Sequence, residues 1–322
     1  MLGGIFLLDI EVELAWGMLD IGMNKEKMIN ISQRARTHLQ SIIDLLEKYN
    51  IPVTWGILGH LLLHRSVGES KASHPEIPRK SPNDESAFYG KDVTDKIIKY
   101  VLKTKTPHDI ACHSFSHMLL GDPKLDKMVA ETEVKRSVQI LKETYGVVPK
   151  VFIFPKNDVG YLEVLKMNDF IAFRGPIPQL IDYSETARGI KNSVRKYVSL
   201  TSQLAAFYLK IPPRVVEPKE ENGLINIPAS MCFNKKPFLP LGLVLQKAIK
   251  GIDRAIMERK VFHLFTHLVN FGQPPEGTAF VKSFEKILAY ANLCREKGGL
   301  EITTMRKIAE DYFSKPNGVT TR

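Results

Sequence analysis

Two histidines four residues apart, His113 and His117, are the first candidates for chemistry in this chain. They stand in the run Cys112-His113-Ser114-Phe115-Ser116-His117-Met118. At that spacing two side chains share a helix face, and they also converge where a strand runs into a turn. Neutral imidazole is the commonest side-chain ligand for metals. Two such nitrogens with one carboxylate make a three-ligand site with a position open for water. A structural pair of histidines has the same spacing, so the motif needs company.

Company comes from the segment Asp9-Ile10-Glu11-Val12-Glu13. Acids at i, i+2 and i+4 point to one side of a strand. Burying each costs several kcal/mol unless a cation compensates it. The alternative is a strand that ends near Asp9 with the rest in solvated loop, but the apolar approach Ile5 to Leu8 argues against a surface strand. A third group lies in Phe262-His263-Leu264-Phe265-Thr266-His267, where His263 and His267 share a face and one could act as a general acid. Cys112 faces away from His113 in a strand and is expected in the core.

These groups need elements to hold them. Short apolar runs predict strands at Gly4–Ile10, Val53–Leu58, Asp109–Ser116, Val151–Phe154, Phe170–Phe173, Leu224–Ile227, Val261–His267 and Leu300–Thr303. Helical spacing predicts helices between them, the first placing Ile31, Ala35, Leu39, Ile42, Ile43 and Leu46 on one face. Others are expected at Lys91–Leu102, Leu125–Tyr145, Leu162–Met167 and Ala279–Lys297, and Gly68–Ala87 is expected as a loop. Alternation of strand and helix means a parallel sheet with crossover helices. The expectation is an α/β fold: one distorted (β/α) barrel of about seven strands over residues 1–322. Residues 188–260, with helices near Arg195–Leu209 and Leu241–Glu258, are expected as an insertion capping it. Barrel chemistry sits at the C-terminal ends of strands, where all three groups fall.

Composition narrows the function. The chain has 322 residues, 44% of them apolar, and a formal net charge of +10. That charge favours anionic partners, yet no zinc-finger spacing, RNA-binding aromatic motif or basic helix is present, and no nucleic-acid partner is expected. Three scattered cysteines suit a reducing compartment rather than a disulfide framework. The apolar start lacks a basic region, and no run of about 20 apolar residues occurs, so neither a secretory signal nor a membrane span is expected. The expected location is the cytoplasm.

Taken in order, these segments resemble the polysaccharide deacetylase (NodB-homology) superfamily, carbohydrate esterase family four. The resemblance implies a distorted barrel, a divalent metal, usually zinc, and removal of acetyl groups from N- or O-acetylated sugars. It makes His113 and His117 metal ligands. Gly4 to Gly17 looks like the first motif of one branch, which reads Asp-Thr-Glu-Leu-Ala-Trp-Gly. Anchored on Trp16-Gly17, the base falls on Glu11, where the family has Asp, and the metal-binding acid on Glu13. Anchored on the only aspartate, the pair is Asp9 and Glu11. The first register matches more residues and is preferred, with Asp9 retained as a catalytic candidate.

Phe152-Ile153-Phe154-Pro155-Lys156-Asn157 is similar to the third motif, although an arginine found earlier in that motif across the wider family is missing. Phe265-Thr266-His267 resembles the last motif and implies that His267 is the acid; Thr303-Thr304-Met305 looks like the closing strand. Tyr89, in Phe88-Tyr89-Gly90, with Lys156, Asn157 and Trp16, is implied at the substrate. The substrate is then an acetylated sugar or glycan, with an anionic or lipid-linked one suiting the basic surface. Two rivals stand beside this reading. One is a hydrolase of a cyclic ureide or imide, and the other is a barrel that binds glycan without turning it over.

Overall fold

The computed structural model describes residues 3–19, 22–63, 88–178, 208–209, 211–235, 239–273 and 277–314. The expected loop at Gly68–Ala87 and nearly all of the expected helix at Arg195–Leu209 lie outside them.

Strand β1 (Gly4–Val12) is buried along its whole length, as befits an apolar run inside a parallel sheet. Strand β9 (Val261–His267) lies along one edge of it, in register from Ile5↔Val261 to Glu11↔His267. Its other edge pairs first with β10 (Leu300–Thr303) and then with β2 (Thr54–Ile57). From β2 the sheet continues in parallel through β3 (Asp109–Cys112), β4 (Val151–Ile153), β5 (Ala172–Arg174) and β7 (Leu224–Asn226). A short β6 (Lys219–Glu221) is antiparallel to β7, and β8 (Met231–Cys232) runs beside β9.

One stretch of chain closes the curl. The Ile227 N–H donates to the Phe173 carbonyl at 3.0 Å, and three residues later the Ser230 N–H donates to the His263 carbonyl at 2.8 Å. Residues 224–232 thus bridge β5 and β9. Counted as one stave, they join β1, β2, β3, β4, β5 and β9 in a seven-membered circuit. The expected distorted (β/α) barrel is what forms.

Alternation along β1 sorts its side chains. Phe6, Leu8, Ile10 and Val12 face the helices. Ile5 and Leu7 face inward onto Ala111, Val151, Ile153, Ala172 and Ile225. The same alternation turns Asp9 and Glu11 inward at the C-terminal end.

The helices among the described residues are α1 (Lys25–Lys48), α2 (Lys91–Val101), α3 (Lys127–Tyr145), α4 (Leu162–Met167), α5 (Leu241–Glu258), α6 (Gly277–Glu296) and α7 (Met305–Ser314). The Asn24 side chain caps α1 by accepting the Lys27 N–H at 3.2 Å. The helix buries Ile31, Ala35, Leu39, Ile42, Ile43 and Leu46, the face its spacing predicts. Helix α3 stops at Gly146, whose φ of +69° suits a residue without a β-carbon. No helix of the described residues is long and apolar enough to cross a membrane.

Two expectations change. Strand β3 ends at Cys112 instead of reaching Ser116, because Ser114 and His117 take left-handed φ values of +58° and +66°. The stretch 188–260 is not wholly a cap. From Leu224 its residues form a barrel stave, and α5 buries Val244, Ala248, Ile252 and Ala255 against the core shared with Phe262.

A part-buried relay ties β2 to β3 at the far end of the barrel. His108 Nδ1 accepts the Val53 N–H at 3.0 Å, so the ring proton sits on Nε2, 2.9 Å from the Tyr100 oxygen. Tyr100 in turn bonds Glu47. Burial pulls the imidazole down to about 4, against the pull of the Glu47 carboxylate. A lowered histidine adds stability that is complete above its ordinary value near 6.5 and is lost as pH falls through about 4. We expect the urea midpoint to drop across that window. His108→Phe should be destabilised at pH 7 and should show a flatter profile between pH 6.5 and 4; an equally steep profile would assign the acid loss elsewhere.

Candidate active site

The strand ends meet at one side of the barrel. Glu13 stands just past β1, in a turn where Leu14 has a φ of +49°. The Gly17 N–H donates to the Glu13 carbonyl at 3.3 Å. A β-carbon on Gly17 would lie 2.1 Å from the Glu13 carboxyl carbon, so only glycine lets this side chain fold back into the site.

From β3, His113 places Nδ1 2.8 Å from the Ile153 carbonyl. A carbonyl only accepts, so Nδ1 carries a proton, and in the neutral ring Nε2 presents a lone pair. That lone pair faces Glu13 Oε2 at 3.3 Å and Glu11 Oε2 at 3.2 Å. His117 Nε2 approaches the same Glu13 oxygen at 2.9 Å. Ligand atoms of Glu13, His113 and His117 all lie within 4.8 Å of one another, as do those of Glu11, Glu13 and His267. A neutral imidazole lone pair against a carboxylate is repulsive unless a cation or a shared proton sits between them. The donor set, two imidazole nitrogens and a carboxylate, could hold a divalent metal ion. Cys112 points the other way and bonds Ser137 at 2.9 Å.

The opposite flank is a buried charge network. Arg174, at the end of β5, is 1% exposed, and its Nη1 donates to Asp9 Oδ1 at 2.9 Å and Glu11 Oε1 at 2.7 Å. Its Nε donates to Asn157 Oδ1 at 2.9 Å, and the guanidinium lies 4.1 Å above the Phe265 ring. His263 Nε2 meets Asp9 Oδ2 at 2.7 Å. Burial would raise the Glu11 and Glu13 carboxyls. Arg174 beside Glu11, and His117 and His267 beside Glu13, outweigh it and hold both below the usual carboxylate range. Burial works against charge on His267, yet Glu11 and Glu13 lift its imidazole well above the ordinary value. His267 Nε2 lies 3.5 Å from Glu11 Oε2, and with 26% of its side chain exposed it faces the solvent side of the cluster.

The structure therefore brings together Glu11, Glu13, His113, His117 and His267, with Asp9 one layer deeper. The four remaining candidates lie around this group. Trp16 is 1% exposed, stacks 3.5 Å from His60 and donates its indole N–H to the Ser116 carbonyl at 2.9 Å. It stands behind the site rather than on its open side. Asn157 is occupied by Arg174. Tyr89 is nearly buried beside His60, and Lys156 is exposed in the turn after β4. Sequence reasoning missed Arg174, although a basic residue closing the apolar run Phe170–Phe173 was a usable signal.

With the geometry in place, comparison with known proteins gives a family match over part of the chain. Residues 25–164 match polysaccharide deacetylase. The match contains His113 and His117, while Glu11, Glu13 and His267 lie outside it. No curated protein matches the chain. Among solved structures, a protein of Mycobacterium smegmatis assigned as a polysaccharide deacetylase is 13% identical, with 99% of this chain and 95% of that one covered at a TM-score of 0.59. One from Pseudomonas aeruginosa PAO1, assigned likewise, is 12% identical, with 98% and 93% covered at 0.61. Puue allantoinase is 13% identical, with 98% and 93% covered at 0.62. At such identities the likeness is one of fold alone, the distorted (β/α) barrel.

Removing one partner of a buried ion pair costs about 3–5 kcal/mol, because the other charge is left without compensation. Arg174→Met should lose stability on that scale at pH 7, and adding Asp9→Asn should recover part of it. A urea-unfolding loss below about 1 kcal/mol would show that the acids are balanced without the guanidinium.

Proposed function

We propose that this chain is a metal-dependent deacetylase acting on an N- or O-acetylated sugar or glycan. The observation that carries the reading is the convergence of His113 Nε2 and His117 Nε2 on one oxygen of Glu13, at 3.3 and 2.9 Å. The family match over residues 25–164 supports it. The register anchored on Trp16-Gly17 follows: Glu13 joins the two histidines as ligand and Glu11 is the base.

A bound divalent cation, zinc for this donor set, would polarise the acetyl carbonyl and acidify water. Glu11 is held anionic by Arg174 and accepts the proton of the attacking water. His267, charged beside two carboxylates and open to solvent, gives its proton to the departing amine or alkoxide as the bond to the acetyl carbon breaks and acetate leaves. Asp9, bonded to Arg174 and His263, holds the guanidinium that orients Glu11, and Asn157 holds it from the other side. Lys156, exposed after β4, and Tyr89 contact the substrate, and Lys156 suits an anionic or lipid-linked glycan. Cys112, Cys232 and Cys294 are all free thiols, which suits a reducing compartment, the cytoplasm in this reading.

Two measurements test the proposal. His113→Ala should lose bound metal and lower acetate release roughly 10³-fold or more. A variant that keeps the wild-type rate would remove the histidines from the chemistry. A panel of acetylated sugars against cyclic ureides should show turnover only of the sugars. Ureide hydrolysis alone would reassign the substrate, and glycan binding without acetate release would make the barrel a binding protein.

A further inference from the structure

The turn between His113 and His117 is gripped by a side chain from outside the site. Glu133, on α3, is fully buried. Its carboxylate accepts the Ser116 N–H at 2.5 Å and the Ser116 hydroxyl at 3.1 Å. The Ser114 hydroxyl and the Met118 N–H donate to the same group. Three residues of one five-residue turn thus converge on one carboxylate, a strong acceptor for several donors at once. From the other side, Trp16 donates to the Ser116 carbonyl at 2.9 Å. The N–H of Ser116 is therefore held by α3, and its carbonyl by the turn that carries Glu13.

The turn needs such a grip. Ser114 and His117 both have left-handed φ values, which residues with a β-carbon keep only when their surroundings over-determine them. Ser114 Oγ also accepts the His117 N–H at 3.0 Å, so the chain of bonds runs from Glu133 through Ser114 to the peptide of His117 itself. A looser turn would swing the His117 ring away from Glu13.

We propose that Glu133 is a positioning residue for the cation site, its carboxylate clamping the His113–His117 turn so that both imidazoles aim at Glu13 before any ion arrives. This rests on reading Glu13, His113 and His117 as metal ligands. The clamp makes ion affinity depend on a group that touches neither the ion nor its ligand side chains. Outer partners of this kind typically contribute 10–100-fold in metal affinity.

The experiment compares Zn²⁺ affinity, by competition with a chromogenic chelator, in wild type, Glu133→Gln and Ile140→Val. Glutamine keeps the volume but turns an N–H₂ group toward donors. Ile140 is a buried α3 residue away from the turn, so its variant lowers the melting temperature without altering the clamp. We expect Glu133→Gln to bind Zn²⁺ about 10–100-fold more weakly and to change the visible absorption of the Co²⁺-loaded protein, with Ile140→Val unchanged in both. Wild-type affinity in Glu133→Gln, or an equal loss in Ile140→Val, overturns the inference. If Glu133→Gln does not fold, Ser116→Ala removes one clamp hydroxyl and should weaken Zn²⁺ about threefold or more; no change there is equally fatal. A wild type that binds no divalent ion removes the metal reading together with the clamp. Normal wild-type binding beside an unaffected Glu133→Gln removes the clamp alone.

Discussion

Asp9, Glu11 and Glu13 leave β1 within five residues, and all three are buried. Every other feature of the site answers that concentration of negative charge. Carboxylates out of water are stable only with paired cations or well-aimed donors. Arg174 meets Asp9 and Glu11, His263 meets Asp9, and His113, His117 and His267 gather on Glu11 and Glu13. The fixed charge of a guanidinium balances the inner pair. The outer pair faces imidazoles whose lone pairs or protons are adjustable. Compensation that is permanent on one flank and exchangeable on the other leaves room for an ion and a reacting proton on the outer side only.

Meeting these pairings demands a curled sheet. In the sheet order β5 is separated from β1 by three strands, yet Arg174 Nη1 sits 2.9 Å from Asp9. Only a barrel brings those strand ends across from one another. The stave at 224–232 completes the geometry, because Pro228 within it offers its carbonyl to His263 Nδ1 at 3.1 Å. That bond fixes which ring nitrogen of His263 faces Asp9. Apolar layers of Ile5, Leu7, Ala111, Ile153 and Ile225 fill the barrel beneath the charged layer and make it a packed floor.

Backbone strain is present in the turns at the same end. Leu14, Ser114, His117, Lys156 and Asn157 all have positive φ, and they lie in the turns after β1, β3 and β4. Each such residue costs on the order of 1–3 kcal/mol and persists only where side-chain bonds hold it. Here the holders are visible: Ser116 between Glu133 and Trp16, and Asn157 on Arg174. The turns aim side chains that a regular strand would send to alternate faces.

Much of this was legible in the amino-acid order. The 3.6-residue spacing of Ile31 to Leu46 named the buried face of α1, and the period-two placement of Asp9 and Glu11 put both on one face of β1. Spacing also marked His113, His117 and His267, because local periodicity is set by the backbone of a single element. The partners of those residues were decided by tertiary structure. Which acid joins the histidine pair depends on Leu14 and Gly17 turning Glu13 back into the site. Arg174, Glu133 and the stave at 224–232 act on groups 15 to 165 positions away in the chain. No periodicity encodes such a contact. It exists only because the sheet closes, and the closing is a property of the whole chain rather than of any segment.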